Sequence, residues 1–321
     1  MASILYKQIK ERLDGAEHIL LLTDERIDGD TVSSTLGMYH VLKELGKEVS
    51  VYSPQPMAKM LEFIPGTEVI CRDKEIFKDG SIDLMMIFDC GDGEYIKEPI
   101  PSMPKKVPLI VFDHHDSNPK YGSINVIDST SAATAGMVWG FVKEVGLPMN
   151  QKAAQCFLTG ICSDTNLFLT SNTTAACLDA AHELSVYGAR FKEIVDKLMM
   201  SRSVPTLRLW GLAFERLYHD DNFGVLATAI TQKDLKDLGV EDADYKSMIN
   251  FLNAALDGID TILVLKETED GAVKGGLRSQ TEDCIAFAEK YGGGGHRRAA
   301  GFKIENARLE EKDGKWFVKK G

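Results

Sequence analysis

The stretch DERIDGD places Asp24, Asp28 and Asp30 within seven residues, directly after the apolar run HILLLT. Taken alone, the cluster reads equally well as a solvated acidic turn, with Asp30 as the N-cap of the next helix. A calcium EF-hand loop is excluded. Its twelfth position is Thr35 where Glu belongs, and a strand-like run precedes it where a helix belongs. Three more clusters follow. IFDC sets Asp89 at the end of an apolar run, VFDHHD sets Asp113, His114 and His115 at the end of another, and TGICSDTNLF sets Asp164 just after a helical run. Gathered at one place, these carboxylates repel one another and are tolerable only if protons or cations neutralise them. Oxygen ligands with one or two imidazoles suit Mn²⁺ or Mg²⁺ better than the thiolate-rich sites of zinc. A shared carboxylate bridges two such ions about 3.5–4 Å apart in sites that cleave phosphate esters. These carboxylates are therefore expected to hold a metal pair.

The elements that must position these residues are legible from periodicity. HILLLT (18–23), EVSVYS (48–53), DLMMIFDC (83–90) and VPLIVFDHH (107–115) are short continuous apolar runs, as for parallel strands buried on both faces. Between the first two, Val32, Leu36, Tyr39 and Leu42 recur at helical spacing, and Gly46 is the expected C-cap. Segments 131–146, 150–163 and 174–200 also read as helices. This alternation predicts a doubly wound, mainly parallel α/β sheet over 1–190, which binds ligands at the carboxyl ends of its strands. A helical linker is expected over 191–220 and a smaller α/β domain over 221–321. In the second domain, strands are expected at 223–230, 259–266 and 273–279, and helices at 242–256 and 281–291.

The glycine run in YGGGGHRRAAGFKI reads either as a flexible turn or as a phosphate cradle. It lacks the G-K-[ST] of a Walker loop and does not fit G-x-G-x-x-G. As a cradle, Gly293, Gly294 and Gly295 would let backbone N–H groups close on a phosphate, with a helix start at Arg297–Ala300 adding its dipole. His296 and Arg278 would supply charge-assisted hydrogen bonds. Arg297 and Arg298 read equally as substrate contacts or surface charges. His18, His40, His182 and His219 lie outside every motif and are expected to be structural or exposed.

Composition bounds the partners. The chain has 321 residues, 44% hydrophobic and 26% charged, with a net charge of −11. The first 200 residues hold 19 basic and 28 acidic side chains, the remainder 18 and 20. That balance is a poor match for long duplex nucleic acid, whose binding is driven by phosphate neutralisation. No apolar run approaches the roughly 18 residues that span a membrane. The charged N-terminal stretch lacks an apolar signal core, so a cytoplasmic location is expected. Six cysteines form no C-x-x-C pair and are expected to be reduced and mostly buried.

In order, DERIDGD, the strand-end Asp89, Asp113-His114-His115, SDT with Asp164, and the closing RS…GGGGHRRAAG resemble the DHH phosphoesterase family with its DHH-associated C-terminal domain of the first type. The motifs span residues 24–301, and five in order make the resemblance specific. It implies an active site in the cleft between the two domains. It also implies that Asp24, Asp28 and Asp89 hold one metal, and that Asp30, Asp89, His114 and Asp164 hold a second. Asp113 would orient an imidazole, and His115 would reach the substrate phosphate. Arg278, Ser279, Gly293, Gly294, Gly295 and His296 would bind the nucleotide. The one departure is Asp24, where the family usually carries His. The added negative charge implies an altered metal preference or turnover. The implied cofactors are two divalent cations, Mn²⁺ foremost and Mg²⁺ next. The implied substrates are very short RNA, pAp, or linear and cyclic dinucleotides. Neither long duplex nucleic acid nor a membrane is an expected partner, and a homodimer is compatible with the sequence. The rival readings are a nucleotide-binding sensor weakened by Asp24 and a single-strand exonuclease of the same family. Against the latter, no basic, aromatic-lined track stands out.

Overall fold

A computed structural model describes residues 2–200, 203–240, 248–249, 251–252, 259–279 and 283–321. The chain divides into two compact units, Met1–Met200 and Ser201–Gly321. The segment 191–220, expected as a linker, is shared between them. Ile194 is buried in the first core, whereas Leu209, Trp210 and Ala213 pack in the second. No helix among the described residues is long and apolar enough to cross a membrane.

The first unit is built on six strands: β1 (His18–Leu22), β2 (Glu48–Tyr52), β3 (Ile70–Cys71), β4 (Leu84–Phe88), β5 (Leu109–Asp113) and β6 (Ile124–Ile127). They are parallel throughout, in the order β3-β2-β1-β4-β5-β6. The order reverses between β1 and β4, which opens a crevice outside their carboxyl ends. The continuous apolar runs follow from burial on both faces. Ile19, Leu21, Met86, Phe88, Ile110 and Phe112 point to one core, while Leu20, Leu22, Met85, Ile87, Leu109 and Val111 point to the other.

Helices α1 (Ala2–Gly15), α2 (Gly29–Glu44), α3 (Thr134–Glu144), α4 (Gln151–Asp164), α5 (Ala175–Val186) and α6 (Phe191–Val195) complete this unit. The helix expected over 174–200 is thus broken at Tyr187–Arg190, where Gly188 takes a left-handed φ of +94°. Residues from all six helices contribute to the first core or pack against it. The opposite face is covered by short 3₁₀ turns that bury Phe77 and Ile96. The sheet is therefore wound about a switch point, but its second layer is thinner than helices would make it. Strands β3 and β6 escaped the periodicity because they are short and only partly buried.

Three glycines bring α2 and α4 together. A Cβ on Gly37 would lie 2.3 Å from the Phe157 ring, one on Gly29 2.2 Å from Ser163 Oγ, and one on Gly160 2.6 Å from Asp30 Oδ1. The same close approach that packs the helices sets Asp30 beside the end of α4.

The second unit comprises α7 (Val204–Glu215), β7 (Tyr218–Asp220), β8 (Val225–Ile230), α8 (Gln232–Leu238), β9 (Thr261–Glu267), β10 (Val273–Ser279), α9 (Cys284–Glu289), β11 (Gly294–His296), β12 (Ala299–Ile304), β13 (Ala307–Lys312) and β14 (Lys315–Lys320). Its main sheet runs β11-β12-β10-β9-β8-β7, and only β8 and β9 pair in parallel. β13 and β14 form a separate hairpin. Most of the helix expected over 242–256, and the start of that expected over 281–291, lie outside the described residues.

Overpacking a tight helix contact costs about 1–3 kcal/mol. Gly37→Ala and Gly160→Ala are both expected to lower the thermal midpoint accordingly, but only Gly160→Ala should also weaken divalent-cation binding, because its methyl displaces Asp30. Calorimetric titration of both variants checks this; equal metal affinity in the two would show that helix spacing does not set the site.

Candidate metal centre

Asp89 follows β4 directly, its N–H bonded to the Phe112 carbonyl at 2.8 Å. Its φ of +56° lies in the left-handed region, which costs a non-glycine residue about 1–2 kcal/mol. Strain of this kind persists where surrounding structure over-determines it. The surroundings are two hydroxyls: Thr31 Oγ1 donates to Asp89 Oδ2 at 2.7 Å, and Thr134 Oγ1 to Oδ1 at 3.1 Å. Asp89 is thereby fixed between the starts of α2 and α3.

Asp30 is fully buried, and it caps a helix other than its own. The residue before α3 is Ala133, which has no side-chain acceptor. Asp30 takes that role, accepting from Thr134 N at 2.6 Å and Ala135 N at 2.9 Å, with Ser34 Oγ at 3.2 Å. The N-cap of α2 is not Asp30, as expected, but Asp28, whose Oδ1 accepts from the N–H groups of Asp30 and Thr31. The helix starts two residues earlier than its apolar periodicity, because Gly29 and Asp30 supply its first turn.

The two histidines are oriented differently. His114 Nδ1 lies 3.2 Å from the Ser131 carbonyl, which only accepts, so this nitrogen carries the proton. Nε2 faces Asp164 Oδ2 at 3.4 Å and Asp89 Oδ1 at 3.5 Å. This is the second-nitrogen anchorage that metal-ligating imidazoles adopt. His115 Nδ1 instead meets Asp113 Oδ1 at 2.6 Å, and Asp113 Oδ2 accepts from Asn118 Nδ2 at 2.6 Å. Burial disfavours the charged form of each partner, but their bond and mutual attraction outweigh it. The His115 pKa is raised and that of Asp113 lowered.

Asp164 is the last residue of α4, not the end of a strand. Beyond it, Asn166, Leu167 and Phe168 take consecutive left-handed φ values of +45°, +60° and +67°. Buried Thr165 closes this turn by accepting from Phe168 N through Oγ1 and from Thr170 N through its carbonyl. Asn166 Nδ2 is buried with no hydrogen-bond partner among the described residues. Strain and an unsatisfied donor beside an acidic centre mark a turn kept for more than stability.

Ligand atoms converge in two groups, Asp89–His114–His115 and Asp30–His114–Asp164, each within 4.8 Å. Desolvation, then the charges of Asp30, Asp28 and Asp164, push the Asp89 carboxyl well above its usual range. Desolvation, then Asp30 and Asp28, do the same to Asp164. Asp30 is raised by desolvation and by Asp28, against His114 and its two backbone bonds. Two buried acids and a half-buried third, all held against ionisation, fit a site completed by cations.

Asp24 and Asp28 belong to neither convergent group. Asp24 Oδ2 accepts from Arg26 Nε at 3.1 Å, while Oδ1 accepts from Glu25 N at 2.7 Å and the Cys90 thiol at 3.3 Å. Burial and the Asp24 charge push the Cys90 thiol up to about 12, so it remains a donor. Arg26 also reaches Asp92 at 3.5 Å. Thr31, Thr134, Asn118, Ser131, Arg26 and Cys90 were not singled out from sequence. Of these, Arg26, Thr31 and Cys90 stood inside or directly beside a quoted motif, where a signal was available.

In the second unit, Arg278, Ala299 and His296 stand side by side across β10, β12 and β11. Arg278 Nη1 donates to the Leu277 carbonyl at 2.8 Å. Ser279 is buried, its hydroxyl bonded to Thr261. The helix expected at Arg297–Ala300 is instead a two-residue turn between β11 and β12, so no helix dipole acts there. Glycine is required for strand approach: a Cβ on Gly293 would lie 2.1 Å from the Gly301 carbonyl, and Gly295 has φ +145°. Outside these motifs, His18 and His40 are buried and hydrogen-bonded, and His182 and His219 are exposed. All six cysteines are free thiols, five of them buried.

An acidic-histidine centre at the switch point of a parallel sheet defines an α/β protein of the divalent-cation-binding class. Residues 18–161 match the model of the DHH family N-terminal domain, and residues 222–314 that of the DHHA1 domain. The bifunctional oligoribonuclease and PAP phosphatase NrnA of Thermus thermophilus is 30% identical over 311 residues, covering 96% of this chain and 90% of that protein. The Bacillus subtilis protein of the same name is 26% identical over 289 residues, 89% of each. An exopolyphosphatase-related protein from Bacteroides fragilis shares the fold, with a TM-score of 0.85 at 21% identity over 93% of this chain and 90% of that one. The chain belongs to the DHH family.

An acid whose folded pKa is raised stabilises the fold while protonated, and that contribution is lost as pH rises from the unfolded value of about 4 through the folded one. Metal-free protein should therefore lose stability as pH rises above about 4 through these acids. Mn²⁺ should raise the melting temperature more at pH 7.5 than at pH 5, and Asp89→Asn should stabilise the metal-free form. Scanning calorimetry at the two pH values checks both signs.

Proposed function

We propose that this protein is a metal-dependent phosphoesterase acting on short nucleotides, namely very short oligoribonucleotides and pAp. The observation that carries the reading is the convergence of Asp89, and of Asp30 with Asp164, on the His114 imidazole, two buried acids and one half-buried, all with raised pKa values. Family membership and the printed activities of the Thermus thermophilus and Bacillus subtilis relatives support the substrate class.

In this proposal Asp30, Asp89, His114 and Asp164 hold one divalent cation, and Asp28, Asp89 and Asp24 the other, with Mn²⁺ favoured over Mg²⁺. When bound, such a pair supplies a water of lowered pKa and charge stabilisation at phosphorus. The remaining work falls to the chain. Asp113 and Asn118 fix the His115 ring, and a His115 of raised pKa donates to a phosphate oxygen. Thr31 and Thr134 hold the Asp89 carboxylate that both ions would share. Arg278, Gly293, Gly294, Gly295 and His296 bind the other phosphate or the terminal nucleotide. The activity is a cytoplasmic one on small substrates, without long duplex nucleic acid.

The test is a panel of pAp, di- to pentaribonucleotides and cyclic dinucleotides, each with manganese and magnesium. Turnover of pAp and the linear ribonucleotides is expected, fastest with manganese; no hydrolysis of any member would sink the reading. Asp89→Asn should abolish turnover with the fold retained. Asp113→Asn should cost about 10–100-fold, as loss of a group that orients a site imidazole does. Asp24→Ala is expected to lower metal stoichiometry from two to one. Retention of both ions would leave Asp24 as an acceptor for Arg26, Glu25 and Cys90 and not a ligand.

A further inference from the structure

We infer that the outward face of the β13–β14 hairpin is a docking platform for single-stranded oligonucleotide. The family model ends at residue 314, so β14 lies beyond it. The register pairs Arg308 with Lys319, Glu310 with Phe317 and Lys312 with Lys315, all on one face. The other face carries Ala307 and Leu309, both buried, with Trp316 and Val318 packed on the same core. Trp316 is further fixed by the Arg216 guanidinium, 4.9 Å from its ring centroid, and by a hydrogen bond from Tyr218 Oη to its carbonyl. One face anchors a rigid ribbon; the other holds four cations, one carboxylate and a phenyl ring.

That outward face is arranged against stability. Lys312 and Lys315 stand directly opposite each other, as do Arg308 and Lys319, and like charges so placed destabilise a ribbon. Glu310 relieves the second pair, at 2.7 Å from Arg308 and 3.1 Å from Lys319, while in the first only Lys315 has an acidic neighbour among the described residues, Asp221 at 3.9 Å. Phe317 keeps 51% of its surface exposed among these cations. A stacking ring within a basic track is the equipment of non-specific single-strand binding. Lys315 and Lys319 flank Phe317 at two residues on either side, roughly 6.8 Å each way along the strand. The two lysines therefore stand roughly 13.6 Å apart along the strand, room for more than one nucleotide of an extended strand, with the ring midway between them. A second copy presenting the same face would meet like charge. A lone ring is too little apolar surface for a membrane. The inference rests on the proposed RNA substrate for its biological sense, but its site is read from the hairpin alone.

The experiment uses the full chain in EDTA, with fluorescein-labelled hexaadenylate RNA followed by anisotropy. Phe317→Leu should weaken binding roughly 5- to 100-fold, the stacking of one base, and Phe317→Trp should restore it. Replacing Lys312, Lys315 and Lys319 together by Gln should reduce the slope of log affinity against log salt by about 2. Affinity unchanged in Phe317→Leu and the triple variant overturns the inference. So does unchanged RNA affinity with loss of a wild-type dimer in sedimentation, or with loss of binding to anionic vesicles. Hydrolysis of pAp with manganese is measured in parallel on the wild type. Its absence defeats the proposed function, while the binding result stands or falls separately.

Discussion

Mutual repulsion among buried carboxylates is the constraint around which the first unit is organised. Asp30 and Asp89 are buried and half-buried Asp164 is brought beside Asp30, where ionised acids are costly unless paired. The fold contains that cost with donors: the N–H groups opening α3 hold Asp30, and two threonine hydroxyls hold Asp89. Neither set offsets the desolvation, nor the repulsion that adds to it, which is why these acids keep raised pKa values. Cations complete what the donors leave unfinished.

This constraint explains features that would otherwise be separate curiosities. A helix without a side-chain cap, a left-handed aspartate after a strand and three left-handed residues after α4 each weaken the fold locally. Each also lies at the centre or is tied to one of its acids. Gly160 belongs to the same set, since its missing Cβ is the room that the Asp30 carboxylate occupies. The second unit uses glycine for another purpose, the close strand approach around β11 and β12, and its outward hairpin face holds like charges opposed.

The strands and helices around the site were legible because burial on both faces leaves unbroken apolar runs and helices repeat their apolar face. Asp89, His114 and Asp164 could be read as chemistry for the same reason: acids and histidines at the ends of apolar runs have few structural explanations. Capping was less legible. Asp28 and Asp30 are both good N-caps, and nothing local says that one caps its own helix and the other a helix over a hundred residues away. The phosphate cradle failed as a helix start because Arg297 and Arg298 turn a hairpin, a tertiary choice that overrides the helix-forming alanines after them. Arg26 was missed because its meaning comes from Asp24 and Asp92, which fall on different sides of β4 in sequence and meet only in the fold.

The central claim is that Asp89 is the shared ligand of a metal pair. Anomalous diffraction from crystals grown with manganese tests it most directly. The account predicts two peaks about 3.5–4 Å apart, each bound to a different oxygen of Asp89, one beside His114, Asp30 and Asp164 and the other beside Asp28. A single peak, or a pair in which Asp89 ligates neither ion, would contradict it.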